Sequence, residues 1–400
     1  MRVSYNQLFQ QPLNRILELQ RHIYDVQQQI ASGRRVMQPA DDPVAAATVM
    51  QVNERIQAAA QFDRNGAQAE QRLALAEDVM RGVSNALQRV HELVLRGRNE
   101  TLGAADRRAL ALEVRAQLDV LADLGNTRNA SGEYIFAGAQ ATTRPFTRDF
   151  AGNVSFNGDQ VVRQIQISGT RAVGESFSGD EALMSIRNGN GIFYTSMALG
   201  NTGTAQISDN IVSDPSAFLT HDFRISFTSP TTFDVIDDTL GMTVLAAQPY
   251  TEGNAVAFSG MEVTLFGLPD AGDEFLLRPS RNQSMFDTLN TIAGTMEMDF
   301  ADPASAARFG FDMDRSIEDL NQAIEHVAQI RATAGARLNT IEGQREVHAD
   351  VTLNLQTLRS KLEDVDLAQA ISLLVQETTA LEAAQASFVR VQGLTLFNFL

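Results

Sequence analysis

Cysteine is absent from the 400 residues, which excludes a disulfide framework, a thiolate zinc site and an iron–sulfur cluster. No stretch reaches the roughly 18 consecutive apolar residues that span a bilayer, so membrane insertion is not expected. The opening Met1-Arg2-Val3-Ser4-Tyr5-Asn6-Gln7 is polar and lacks the apolar core of a cleaved secretory signal. The 32 basic residues are outnumbered by 49 acidic ones, and the net charge of −17 comes with no concentrated basic face. That balance argues against tracking a nucleic-acid backbone. It also keeps a subunit soluble before it assembles.

The ingredients of catalysis are equally scarce. The five histidines, His22, His91, His221, His326 and His348, follow no ligand spacing such as HExxH. Asp41-Asp42 is a carboxylate pair, but its place between Pro39 and Pro43 suits helix capping better than acid–base work. Asp234, Asp237, Asp238 and Gly241 miss the spacing of a calcium loop. Arg187-Asn188-Gly189-Asn190-Gly191 is a turn, not a phosphate loop, because no GK[ST] follows. No serine sits in a nucleophile elbow. No catalytic residue, cofactor or metal is expected, and the chain does not read as an enzyme.

What the chain does have is apolar heptads at both ends. Phe9, Ile16, Ile23 and Ile30 recur every seven residues, with Leu19 and Val26 three residues after Ile16 and Ile23. Leu367, Leu374, Leu381 and Phe388 repeat the pattern, with Ala370, Ala384 and Val391 in the second seam position. This is coiled-coil patterning. Burying six side chains of the first stripe contributes about 1.5–3 kcal/mol each, roughly 9–18 kcal/mol in all. Fixing some two dozen backbones costs about 1–2 kcal/mol per residue, and lone helices of this length are marginal in water. The ends are therefore expected to be disordered in a monomer and ordered in an array. Phe9, Ile16, Leu19, Ile23, Val26, Ile30, Leu367, Leu374, Leu381, Phe388 and Val391 are the expected assembly residues.

The first helix carries a capping box in Ser4 and Gln7, a kink or late start at Pro12, and a stop at Ser32-Gly33. Asp42 as N-cap and Pro43 as first helical residue open a second helix to about Leu95, and a third is expected over 106–124. From about Ser131 the texture changes to Gly, Thr, Phe and short alternating runs. Val154-Ser155-Phe156 and Val161 to Ile165 flank Asn157-Gly158, a hairpin signal. A short helix is expected around Asp180 to Ile186, and the phenylalanines of 218–275 read as a β core. Helix returns near Met285. A seam then runs from Leu320 to Val365, with polar members Arg337, Gln344 and His348, and it changes phase at Glu363-Asp364-Val365-Asp366.

The fold class is mainly α with an inserted β-rich domain, a rod of long antiparallel helices with both termini at one end. Three domains are expected: a terminal coiled coil of 1–42 plus 364–400, a helical rod of 43–130 plus 285–363, and a β-rich outer domain of 131–284.

Particular motifs sharpen this reading. Ser32-Gly33-Arg34-Arg35-Val36 followed by Pro39-Ala40-Asp41-Asp42-Pro43 resembles the N-terminal signature of flagellins and hook-associated proteins. Arg331 with Gly335-Ala336-Arg337-Leu338-Asn339-Thr340-Ile341-Glu342 is similar to their C-terminal helix. Tyr134-Ile135-Phe136-Ala137-Gly138 with Pro145-Phe146, and the ending from Phe388 to Gly393-Leu394-Thr395-Leu396-Phe397, resemble the hook-associated members. Gly272-Asp273-Glu274-Phe275 is similar to a β module of hook-associated protein 1. The resemblance covers roughly 1–146 and 310–400. It implies a structural adaptor at the hook–filament junction between hook-associated protein 1 and flagellin, self-associating in a helical lattice. It further implies type III export without a cleaved signal, a chaperone on the C-terminal segment, and an extracellular place on the flagellum. The same features fit a filament subunit, or a β-lobe binding module on a helical stalk.

Overall fold

In a computed structural model, the backbone is described for residues 5–99, 102–149, 152–300 and 302–397, with side chains of these residues from Gln10 to Arg390, Asp209 excepted. The helices are α1 (Tyr5–Ser32), α2 (Pro43–Gly97), α3 (Ala104–Gly125), α4 (Met285–Met296), α5 (Pro303–Glu363) and α6 (Leu367–Phe397). Between α3 and α4 the chain is β-rich. Long helices with an inserted β region are the expected architecture. By compactness the chain divides into residues 1–64 with 343–400, and residues 65–342. These divisions fall inside α2 and α5, not at the junctions 42/43 and 363/364 read from the sequence.

In the first unit α1 and α6 pack together. Arg34 bridges Asp364 and His22 approaches Glu377 at 3.9 Å, so the two helices run antiparallel and their free ends point the same way. The opening stretch of α2 lies beside the last stretch of α5, where Arg359 donates to Asn53 (3.1 Å) and Arg345 to Asp63 (2.9 Å). Pro12 lies inside α1, which begins at Tyr5. The expected capping serine, Ser4, is outside the described residues.

In the second unit α2 and α5 are again antiparallel, with Arg331 on Glu77 and Arg98 on Asp314, each at 2.8 Å. Apolar periodicity explains the pairing. Leu73, Met80, Leu87 and Val94 of α2 are buried at seven-residue intervals, as are Met313, Leu320, Val327, Ala334 and Ile341 of α5. With α3 and α4 they enclose one core, closed by Phe136, Phe146 and Phe177 from the adjoining loops and strands.

The β region begins with two hairpins, β1 (Phe146–Arg148) with β2 (Val154–Phe156), and β3 (Gln164–Gln166) with β4 (Ala172–Gly174). The hairpin expected at Asn157-Gly158 does not form: β2 pairs backwards and β3 forwards. Asn157 N donates instead to Pro145 O (2.7 Å), and a Cβ at Gly158 would stand 3.0 Å from Ala137 O, so this glycine serves a close approach, not a turn. A π-helical turn, Asp180–Met184, occupies the place of the expected short helix.

β5 (Ile186–Arg187) pairs with β14 (Asn282–Gln283). Between them stand two antiparallel sheets built from β6 (Phe193–Met197), β7 (Gln206–Val212), β8 (Phe223–Ser229), β9 (Thr232–Asp237), β10 (Met242–Pro249), β11 (Ala255–Phe258), β12 (Met261–Phe266) and β13 (Glu274–Pro279). Their orders are β10-β9-β8-β13-β6 and β11-β12-β7. Alternation turns Phe223, Ile225, Phe227, Phe233, Val235, Phe275 and Leu277 inward against Met261, Val263 and Leu265. Phe311 of α5 enters this second core. Phe266, by contrast, faces out.

Candidate assembly surface

The connection between α1 and α2 is folded by its two aspartates in different ways. Asp41 Oδ2 accepts from Met37 N (3.0 Å) and Gln38 N (2.8 Å), closing the loop upon itself. Asp42 Oδ1 accepts from Ala45 N (2.9 Å), an N-cap on the helix that Pro43 starts. The Ala45 amide, and after it the Arg35 guanidinium at 3.2 Å, hold the Asp42 carboxyl below the usual carboxylate range.

The same loop grips the break between α5 and α6. Gly33, at φ +71°, turns the chain out of α1. Arg35 N then donates to Glu363 O (2.7 Å) and Val365 N to Gly33 O (3.0 Å), a short antiparallel ladder. Arg34 pairs with Glu363 (3.0 Å), and Arg35 donates to Leu362 O (2.9 Å). Asp366 Oδ1 accepts from Ala368 N (3.0 Å) and Gln369 N (3.1 Å), restarting the helix as α6. The phase change read at Glu363 to Asp366 is thus a clasp. The Ser-Gly-Arg-Arg-Val motif supplies its other half, with roles for Arg34 and Arg35 that sequence reading did not assign.

Beyond the clasp, α1 and α6 each have two apolar faces. Ile16, Leu19 and Val26 are buried, and Ile23, Ile30, Leu374, Leu381 and Phe388 are half-buried within this unit. Leu367 is exposed. The side chains of Phe9 and Val391 lie outside the described residues. A second stripe faces out: Leu13, Leu17 and Tyr24 on α1, and Leu367, Ile371, Val375 and Val389 on α6, with Tyr24 62%, Val375 60% and Val389 65% exposed. At 3.6 residues per turn, outward and seam faces stand about a third of a turn apart. Spacings of four and seven (13, 17, 24 and 367, 371, 375) carry the outward stripe in the sequence, but the seam count alone does not capture it. At the clasp end a groove of about 440 Å³ opens between Gln29, Arg35, Val365, Gln369 and Leu373.

Other sequence candidates hold structure. Arg337 leaves the seam to donate to Ser176 O (3.1 Å) with its guanidinium over Phe177 at 4.5 Å, and Asp237 meets His221 at 2.7 Å. Among the described residues no cluster of His, Asp or Glu could hold a metal, and no helix is long and apolar enough to cross a membrane.

With the clasped terminal helices, the long antiparallel helix pair and the inserted β region in place, the chain is similar to the flagellin family of axial subunits: the bacterial flagellin N-terminal helical region matches residues 3–141. Within that family the similarity is to hook-associated protein 3. The Escherichia coli flagellar hook-associated protein 3 is 26% identical over 398 residues, covering 100% of this chain and 99% of the relative. The crystal structure of the flagellar junction protein FlgL from Legionella pneumophila superposes with a TM-score of 0.71 at 29% identity, over 78% of this chain and 100% of that one. Xanthomonas campestris FlgL gives 0.71 at 28%, over 77% and 99%. The chain is a structural component of the bacterial flagellum.

Proposed function

We propose that the chain is the adaptor at the hook–filament junction, a structural subunit without catalytic activity that contacts hook-associated protein 1 on one side and flagellin on the other. The observation that carries this reading is the outward stripe on α1 and α6 in a chain similar to hook-associated protein 3 from end to end. An apolar helix face left bare needs a partner. Further copies in a head-to-tail lattice supply one, and such a contact continues along a helical assembly instead of closing. Seam residues such as Ile16, Leu19 and Leu374 hold α1 to α6, and Leu13, Ile371 and Val375 meet neighbours. Asp42 and Pro43 fix the helix start beside the clasp.

In this reading the chain has three domains, 1–42 with 364–400, 43–130 with 285–363, and 131–284, the first of which becomes fully ordered in the lattice. The subunit leaves the cell through a type III apparatus, with α6 held by an export chaperone until then. Binding to other copies would shift the ends towards the folded state by mass action.

The test separates the two faces of α6. Val375→Asp should leave the purified subunit soluble and helical while cells lose filaments. Motile cells with normal filaments would overturn the proposal. Leu374→Asp should in addition lower the helix content of the isolated protein. A filament subunit would instead grow long polymers alone on seeds, whereas an adaptor adds a limited zone.

A further inference from the structure

Glu318 and Asp319 are neighbours on α5 and point under the β region of the same unit. Asp319 Oδ1 accepts from Gly189 N (2.7 Å) and its other oxygen from Gln283 Nε2 (3.4 Å). Glu318 Oε2 accepts from Asn210 Nδ2 (3.3 Å), and Asn210 O in turn accepts from Asn190 Nδ2 (3.0 Å). Asn190 Oδ1 closes the turn by accepting from Ile192 N and Phe193 N (3.0 and 2.9 Å). The Asn-Gly-Asn-Gly motif is therefore an anchor, seated with β7 on two adjacent carboxylates.

Every donor bonded to this pair is neutral. Asp314 and Arg315 of α5 are the charged groups that act on it, and Asp314 is already bonded to Arg98, the residue after α2. β7, the 188–193 turn and β14 contribute Asn210, Gly189 and Gln283, uncharged among the described groups. Two side-by-side anions facing neutral dipoles in a mostly buried place are costly, and one added proton relieves that cost. We propose that the seating of the 188–193 turn and β7 on α5 is proton-operated, held firmly in mild acid and already loosened at neutral pH.

Burial, and then the charges of Asp319 and Asp314, push Glu318 from 4.5 up to about 6, and burial raises Asp319 as well. A carboxyl whose folded value is raised binds its proton more tightly in the seated state. Seating is therefore weakest above about pH 6, strengthens as pH falls through that value, and is fully strengthened below 4.5.

Hydrogen exchange of the full chain, corrected for intrinsic rates, reads this directly. Between about pH 7.5 and pH 5, protection of 206–212 should rise roughly tenfold, and Glu318→Gln should be protected throughout with a flat profile. Wild-type protection that falls in acid, or a Glu318→Gln profile as steep as the wild type, would overturn the proposal. Should that variant not fold, a carbon-detected titration of Glu318 in the unaltered protein decides: a midpoint near 6 supports the latch and one near 4.5 removes it.

Discussion

Asp41 and Asp42 are the same residue type with different work, and local geometry decides which does what. Asp41 bends back to amides before it, while Asp42 reaches forward to the first turn of α2. An amide oxygen can replace the carboxylate as a cap, so the charge is secondary. Asp42→Asn should leave exchange at the Ala45 amide nearly unchanged, and Asp42→Ala should make it roughly fivefold faster. Equal acceleration in both variants would mean that the Arg35 pair, not the cap, holds the helix start. Because the folded carboxyl lies below its usual range, its contribution is present at neutral pH and is lost as pH falls through that lowered value. Arginine is the other residue-scale theme: Lys361 is the sole lysine among 32 basic residues. In the clasp the Arg35 guanidinium reaches two acceptors at once, Asp42 and Leu362 O, and between α2 and α5 Arg331 sets two N–H groups on one Glu77 oxygen.

The long helices were legible because their periodicity is local. Val79, Val83, Ala86, Val90 and Val94 announce the buried face of α2, and Leu110, Val114, Leu118 and Leu121 that of α3. The clasp was only half legible. Asp42 and Pro43 signal a helix start by themselves, but Arg35 finds Leu362 O across 327 residues, which no window reveals. Asn157-Gly158 misled for the same reason: its strand partners come from outside the pair, and tertiary contact overrides turn propensity. Periodicity likewise reports apolar spacing and not how much cover each position receives. Leu320 opens the seam read in α5 and Leu358 falls within its span, yet Leu320 is fully buried and Leu358 is 42% exposed. Leu320→Ala should cost about 2–5 kcal/mol in denaturant unfolding. Leu358→Ala should cost well under about 1 kcal/mol in the dilute subunit. If both cost the same, α5 is packed evenly along its length and the fading of its seam is wrong.

Charge is not spread evenly over the whole molecule. Residues 1–64 and 343–400 hold 11 of the 32 basic and 13 of the 49 acidic side chains, a net −2, whereas residues 65–342 carry −15. The unit with bare apolar helices is nearly neutral, and the unit with the β region bears almost all the repulsion. Association of copies through α1 and α6 removes apolar surface from water, a term that added salt does not weaken. Bringing together many units of −15 is opposed by Coulomb repulsion, which falls steeply once the Debye length shrinks from about 20 Å to below 5 Å. The two terms predict one sign. The onset concentration for self-association, followed by light scattering or sedimentation, should drop several-fold between about 20 mM and 500 mM sodium chloride. Val375→Asp should abolish association at both salt concentrations, because it removes the attraction and not the repulsion. Assemblies that dissolve as salt is added would instead mean that ion pairs between copies hold them, and the bare stripe on α6 would lose its assigned part.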